Sequence, residues 1–338
     1  MESAERGEAI SLSRRVEALS TAELASLSRL RARFLDGSNA GGGYWRDEAE
    51  LALYDATFAE RIGWKWDAVL DELIAREWRP KARHVFDFAC GSGVAGRRVL
   101  AAWAGMASLI VADVSPAAVR FAEVKARTAF PGITVHGVAA AGVTALPPNS
   151  LLLVSHVINE LSGAAREKLL ALARQAEEVI WVEAGSHAES RALIGVREDL
   201  RGTFSVIAPC THAEKCGMLT EGNARHWCHH FGRVPSAAFQ DAGWAQFAKE
   251  LGIDLRALPY SFLVLSRTPS DLATGATRVI GRPIEKNGRL DLLACDANGV
   301  GEVMLQKRDA PGLYKALNKG KAGAVQRWQV VEGKVREI

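Results

Sequence analysis

The chain has 338 residues, 48% of them hydrophobic and 24% charged, with a formal net charge of +3. That balance fits a globular protein with one large core or two smaller ones, and it is too weakly basic to signal nucleic-acid binding by charge alone. The longest apolar runs, such as Leu151 to Val154, are far too short to span a bilayer. The acidic start, Met1 to Glu8, lacks the basic-then-apolar order of a secretory signal and the acid-poor character of a transit peptide, so a cytoplasmic protein without a membrane partner is expected. In that reducing setting the five cysteines are not a disulfide framework; they are metal ligands, reactive thiols or apolar fillers.

Residues 1–80 read as a helical region. Ser20 and Glu23 have capping-box spacing before Leu24, Leu27, Leu30 and Phe34, and Gly37 with Gly41-Gly42-Gly43 ends that segment. Helical spacing resumes from Leu51 to Ile74, where Trp64 and Trp66 suit a core better than a base-stacking surface. From His84 short apolar runs alternate with helical stretches. Strands are predicted at His84–Phe88, Leu109–Asp113, Ile133–His136, Leu151–Ser155, Val179–Glu183 and, late, Tyr260–Ser266. Helices are predicted at Gly93–Ala104, Pro116–Ala129, Ala164–Gln175 and near His187–Leu200. Alternation at this pitch predicts an α/β domain over 81–270, with a parallel sheet covered on both faces. A small basic β-rich domain is expected over 271–338, with strands at Val279–Ile284, Arg289–Ala294 and Glu302–Gln306. From Ala276 to Ile338, 12 Lys and Arg face 7 Asp and Glu, so a polyanion would prefer this end unless the excess is only a solvated face.

Asp87-Phe-Ala-Cys-Gly-Ser-Gly-Val-Ala-Gly follows a strand and opens a helix. Gly91 and Gly93 let the backbone turn tightly and approach a ligand, and Asp113 ends the next strand, where a carboxylate can accept from both ribose hydroxyls. Gly91-Ser-Gly93-Val-Ala-Gly96 also satisfies the dinucleotide fingerprint, so NAD is the competing ligand. Asp87 favours S-adenosylmethionine, which has no phosphates and carries an ammonium and a sulfonium. The turn resembles the first motif of class I methyltransferases, with Ala89 where that motif often has glycine. Cys90 reads as a small residue packed under the turn. After the fourth strand, His156, Asn159 and Glu160 are the candidate catalytic or pocket-lining groups, with His156 as a conceivable base.

The loop 208–235 carries Cys210, Cys216 and Cys228, with Cys295 more remote. Rich in Pro, Gly, His and Asn, the loop has too little apolar content to fold on itself without a staple, which a metal supplies. Paired Cys-x2-Cys spacing typical of zinc ribbons is absent, and irregular spacing suits an iron–sulfur cube. His212, His226, His229 and His230 keep zinc open as the alternative. Pro209-Cys210 could also act as the nucleophile of a 5-methylcytosine enzyme, although its place among other cysteines favours ligation.

Ser155-His-Val-Ile-Asn-Glu-Leu, Val182-Glu-Ala-Gly, Ala208-Pro-Cys-x5-Cys, Trp227-Cys-His and Leu258-Pro-Tyr-Ser-Phe-Leu-Val-Leu resemble the methyltransferase-like Rsm-twenty-two family of the small ribosomal subunit, from about Tyr44 to the end. That resemblance implies a class I methyltransferase fold, binding to the small subunit and its rRNA, and a [4Fe-4S] cluster on Cys210, Cys216, Cys228 and Cys295. The chain departs from the family in Gly217, in a longer Cys216–Cys228 interval and in the doubled His229-His230. The expectation is therefore an S-adenosylmethionine-dependent protein, monomeric off the ribosome. It would act in rRNA methylation or subunit assembly; its cofactor-binding residues would be Asp87, Ala89, Gly91, Gly93 and Asp113. An inactive assembly factor and an NAD-linked oxidoreductase are the competing readings.

Overall fold

The computed structural model describes residues 16, 18–36, 45–270 and 274–337; the expected glycine stop at 37 and 41–43 lies outside them. Three helices lead the chain: α1 (Thr21–Asp36), α2 (Glu48–Ala56) and α3 (Phe58–Ala75). The Ser20–Glu23 capping box forms as expected, with Ser20 N donating to Glu23 Oε2 at 2.8 Å and Glu23 N donating to Ser20 Oγ at 3.3 Å. Trp64 and Trp66 are buried, so the core reading of both holds.

The α/β part then runs β1 (His84–Phe88), α4 (Val94–Ala102), β2 (Ser108–Asp113), α5 (Pro116–Ala129), β3 (Thr134–Ala139), β4 (Ser150–Ser155), α6 (Gly163–Ala173), β5 (Glu178–Ala184), α7 (His187–Leu200), β6 (Ser205–Ala208), β7 (His230–Phe231), α8 (Ala242–Leu251) and β8 (Pro259–Ser266). These strands build one sheet in the order β3-β2-β1-β4-β5-β8-β6, with β7 also paired to β8. Apolar clusters cover both faces: Val85, Val99, Leu109 and Leu153 on one, Phe86, Leu152, Trp181 and Leu265 on the other.

The sheet is parallel as expected from β3 to β5 and differs at its late strand. β8 is antiparallel to β5 and to β6, with Ala184 opposite Tyr260 and Ala208 opposite Val264. The cause is connectivity. The chain leaves β6 at Ala208 and re-enters at Pro259 on the same edge of the sheet, with the cysteine loop and α8 between, so β8 runs back rather than crossing over.

The chain ends in a second sheet: β9 (Thr277–Lys286), β10 (Arg289–Asp296), β11 (Gly299–Gln306), helix α9 (Pro311–Asn318), β12 (Val325–Gln326), β13 (Trp328–Val331) and β14 (Lys334–Glu337), in the order β12-β9-β10-β11-β14-β13. Its own core holds Leu290, Leu292, Leu305, Tyr314 and Trp328. A buried clamp joins the two sheets. Arg278 of β9, 2% exposed, bonds both carboxylate oxygens of Glu72 on α3 at 2.5 and 2.9 Å, and it also reaches Pro209 O and His230 Nδ1. No helix among the described residues is long and apolar enough to cross a membrane.

Candidate cofactor site and cysteine cluster

The turn between β1 and α4 opens a cavity of about 580 Å³ at the carboxyl edge of the sheet, where ligands of open α/β sheets bind. Each glycine of the turn has its own reason. Gly91 has φ +52° and lines the cavity, and a Cβ there would meet no protein atom within 4 Å. Gly93 has φ +78°, and its Cβ would lie 2.7 Å from Ala122 Cβ. At Gly96 a Cβ would fall 2.9 Å from Leu109 Cδ1, so this glycine seats α4 against the sheet. Ala89 takes φ +53° despite its methyl group, a left-handed conformation that costs an L-residue roughly 1–2 kcal/mol.

Asp113 lines the cavity and steadies the turn: Oδ2 accepts from Gly91 N and Oδ1 from Ser115 N, both at 2.9 Å. Burial raises its carboxyl above the usual range. Asp87 is corrected. It is fully buried and does not line the cavity; Oδ2 accepts from Gly96 N at 2.9 Å, so it pins the first turn of α4 from beneath. Burial pushes its carboxyl up to about 7, with Asp113 adding to the rise. Its Oδ1 is buried with no hydrogen-bond partner.

Of the three candidates after β4, His156 and Glu160 line the cavity and Asn159 does not. The N-terminal region supplies further wall through Phe34 and Tyr54, which helical periodicity marks only as apolar, and through Trp45 between α1 and α2. His156 has φ +53°, so two strained non-glycine residues, Ala89 and His156, border one cavity. Strain of this kind concentrates where surrounding structure holds a site in place. Behind the His156 turn, buried Glu183 Oε1 accepts from Val157 N and Ile158 N at 3.1 Å and from Trp181 Nε1 at 2.6 Å.

Lys65 of α3 meets His156 behind this wall, a contact that sequence patterning misses. Its Nζ lies 2.8 Å from His156 Nε2, while His156 Nδ1 is 3.3 Å from Ser155 Oγ, which also accepts from Trp66 Nε1 at 2.9 Å. Burial, then Arg61, lowers the Lys65 ammonium to about 7, and burial with Lys65 beside it holds the His156 imidazole well below its ordinary range. A neutral imidazole accepting at Nε2 carries its proton on Nδ1, directed at Ser155.

The four late cysteines come to one region. Cys210, Cys216 and Cys228 line a small cleft with Ser190, Arg197 and Phe262, and Cys216, Cys228 and Cys295 share an apolar cluster with Ile194, Met218 and Ile280. Arg197 of α7 donates to Cys210 Sγ at 3.2 Å and to the carbonyls of His212 and Glu214, wrapping the loop. Cys228 Sγ is 3.7 Å from His230 Nε2, and Cys295 Sγ is 3.6 Å from His212 Nε2. Burial, then the neighbouring Cys210, pushes the thiols of Cys216, Cys228 and Cys295 up. Among the described residues no group of three or more His, Cys, Asp or Glu is gathered closely enough to hold a metal ion. The expected metal loop is therefore not supported as a ligand shell; what exists is a convergence of thiols around a cleft.

Fold and site together define a doubly wound α/β protein with a ligand cavity at a glycine turn and a small β domain clamped beside its cysteines. The family model described as Mitochondrial small ribosomal subunit Rsm22 matches residues 57–327, and the chain belongs to that family, which is methyltransferase-like. Solved structures similar to the chain include magnesium protoporphyrin IX methyltransferase ChlM from Synechocystis PCC 6803 with bound SAM, at 16% identity and TM-score 0.39, covering 74% of this chain and 99% of that one. An rRNA methylase from Escherichia coli matches at 17% identity and TM-score 0.34, covering 56% and 71%. The 16S rRNA methyltransferase RmtF in complex with S-adenosyl-L-homocysteine matches at 20% identity and TM-score 0.35, covering 56% and 72%. Likeness at that level carries nothing about substrate. No curated protein matches the chain.

Proposed function

We propose that the cavity at the glycine turn binds S-adenosylmethionine, and that the protein acts on the small ribosomal subunit as an rRNA methyltransferase or in subunit assembly. One observation carries this reading: Gly91, open toward the cavity, and Asp113, ending β2 beside it, form a cradle at the carboxyl edge of a sheet whose reversed strand lies between β5 and β6. That strand order is the class I methyltransferase arrangement, and family membership supports the same reading. Asp113 would hold the ribose hydroxyls, and the Ala89–Ser92 backbone would lie against the amino-acid end, whereas Gly93 does not line the cavity. Asp87 would act through the position of α4, since it does not reach the cavity. When bound, the donor supplies an electrophilic methyl group on sulfur.

His156 and Lys65 share a hydrogen bond at the cavity wall, and with the Lys65 ammonium lowered to about 7 this pair can hold or release one proton near neutrality. A non-catalytic assembly role is favoured by one feature of the same pair: Lys65 occupies the Nε2 lone pair that a histidine base would use. Primer extension across small-subunit rRNA from a deletion strain separates the roles. A missing modification supports catalysis; an unchanged map with immature subunits supports assembly.

The [4Fe-4S] assignment to Cys210, Cys216, Cys228 and Cys295 belongs to this proposal, with zinc as the alternative. Its support is the donor chemistry alone: soft sulfur atoms of Cys210, Cys216 and Cys228 line one cleft and Cys295 shares an apolar cluster with Cys216 and Cys228, while among the described residues they are not gathered into a ligand shell. A bound centre would tie β10 to the loop and so the β domain to the sheet. A spectrum of anaerobically purified protein, with iron and zinc quantified, tests it: about four iron per chain with a visible chromophore supports the cube, and metal-free protein rejects both.

A further inference from the structure

After Arg225-His226 the chain runs Trp227-Cys228-His229-His230-Phe231, whose last two residues form β7 against β8. Cys228 and His230 face inward, His230 buried and bonded to Arg278. Trp227, His229 and Phe231 form a row on the other side, and none of the three is fully buried. Trp227 and His229 stack at 4.7 Å with 23° between planes, and His229 meets Phe231 edge-on at 5.5 Å. The row is held rigidly. Trp227 Nε1 donates to Gly185 O at 2.9 Å, Gly281 N donates to His229 O at 2.9 Å, and a Cβ on Gly281 would lie 3.0 Å from the His229 ring.

Cations border the row. The Arg282 guanidinium lies 4.0 Å over the Phe231 ring and donates to Arg256 O at 3.1 Å. Arg233, also exposed, is held by Gly320 O between Lys319 and Lys321. Acids nearby are Asp254, bonded to Arg256, Glu302, bonded to Arg225, and Asp71, which feels Arg233. Arg61 of α3, on the far side of Ala257, donates to Ala257 O at 3.3 Å and is largely buried. Rings that only sealed the seam between the two sheets would need no arginine heads held at the surface by backbone carbonyls.

We propose that Trp227, His229 and Phe231, with Arg282, are a stacking platform for unpaired nucleotides of RNA, whose phosphates lie along Arg233, Arg256 and Arg282. Every base offers a π-face to such a row, whereas a duplex hides its faces and an acidic peptide would use only the arginines. That the RNA belongs to the small ribosomal subunit rests on the proposed function; the platform rests on the rings and arginines.

Fluorescence anisotropy of the full chain with a short labelled unpaired RNA, the matching duplex and a polyglutamate peptide tests the inference. Phe231→Leu should weaken unpaired RNA about tenfold and leave the duplex unchanged. Arg282→Gln should weaken it similarly and lower the log–log salt slope by about one. Unchanged melting temperatures show that both variants fold. Unchanged RNA affinity in Phe231→Leu, with Arg282→Gln weakening all three probes alike, overturns the platform and leaves a plain electrostatic surface. If RNA behaves as expected while S-adenosylmethionine fails to bind, the platform stands and the cofactor reading falls.

Discussion

Gly91→Ala separates the cavity's role in binding from its role in folding. The added Cβ would meet no protein atom within 4 Å, so it brings no clash with the fold. At φ +52° an L-residue pays roughly 1–2 kcal/mol, partly offset by about 0.5–1 kcal/mol because the unfolded chain loses freedom when glycine is replaced. The net loss is about 1 kcal/mol, or a fall in melting temperature of roughly 2–4 °C for a chain of this size class. The methyl group projects into the space assigned to the cofactor, so S-adenosylmethionine affinity should fall by more than about tenfold, the equivalent of 1.4 kcal/mol. Gly93→Ala should do the reverse in emphasis, because its Cβ would lie 2.7 Å from Ala122 Cβ and strike protein rather than ligand. That clash should cost about 1–3 kcal/mol more than strain alone. Differential scanning fluorimetry with and without cofactor, alongside calorimetry, reads both quantities. If Gly91→Ala binds S-adenosylmethionine with wild-type affinity, the ligand does not lie against this turn and the site assignment fails.

Arg278→Met should destabilise the protein by about 1–3 kcal/mol in urea titrations, since it removes one of the two guanidiniums that hold the buried Glu72 carboxylate, Arg76 being the other; a wild-type midpoint would show that the clamp contributes nothing. Cys295→Ser should abolish the visible chromophore and increase protease cleavage near residues 268–276; normal colour and iron content would remove Cys295 from the ligand set. Lys65 has its ammonium depressed from 10.5 to about 7. Its stabilising contribution is therefore fully present above the unfolded value and is lost as pH falls through about 7. Melting temperature should rise with pH across that window, and Lys65→Met should flatten the rise; an unchanged slope would place Lys65 in solvent.

Much of the sheet was legible because β1, β2, β4 and β5 are short apolar runs and α5, α6 and α7 each open on a capping serine, such as Ser115 before Pro116. The helix α8 was also readable in principle: Asp241 caps it, Gly252 ends it, and Trp244, Phe247 and Leu251 repeat on one face. Four-residue β6 offers too little pattern, and the reversal of β8 follows from where the chain re-enters the sheet, which no local pattern encodes. At the turn, spacing picked out Gly91 and Asp113, which the structure places on one cavity, and Gly93, which it turns against Ala122 instead. Asp87 misled because an acid next to a glycine turn can face the ligand or the helix, and here it bonds Gly96 N. Lys65 sits on an otherwise ordinary amphipathic helix, and only the packing of α3 over the end of β4 brings it to His156.

Equilibrium dialysis of the purified chain with labelled S-adenosylmethionine, challenged by S-adenosylhomocysteine and by NAD, bears on the cavity without any assumption about the acceptor. One saturable site per chain, emptied by S-adenosylhomocysteine and untouched by NAD, is the expected result. Stoichiometric retention of NAD with no retention of the methyl donor would contradict the account.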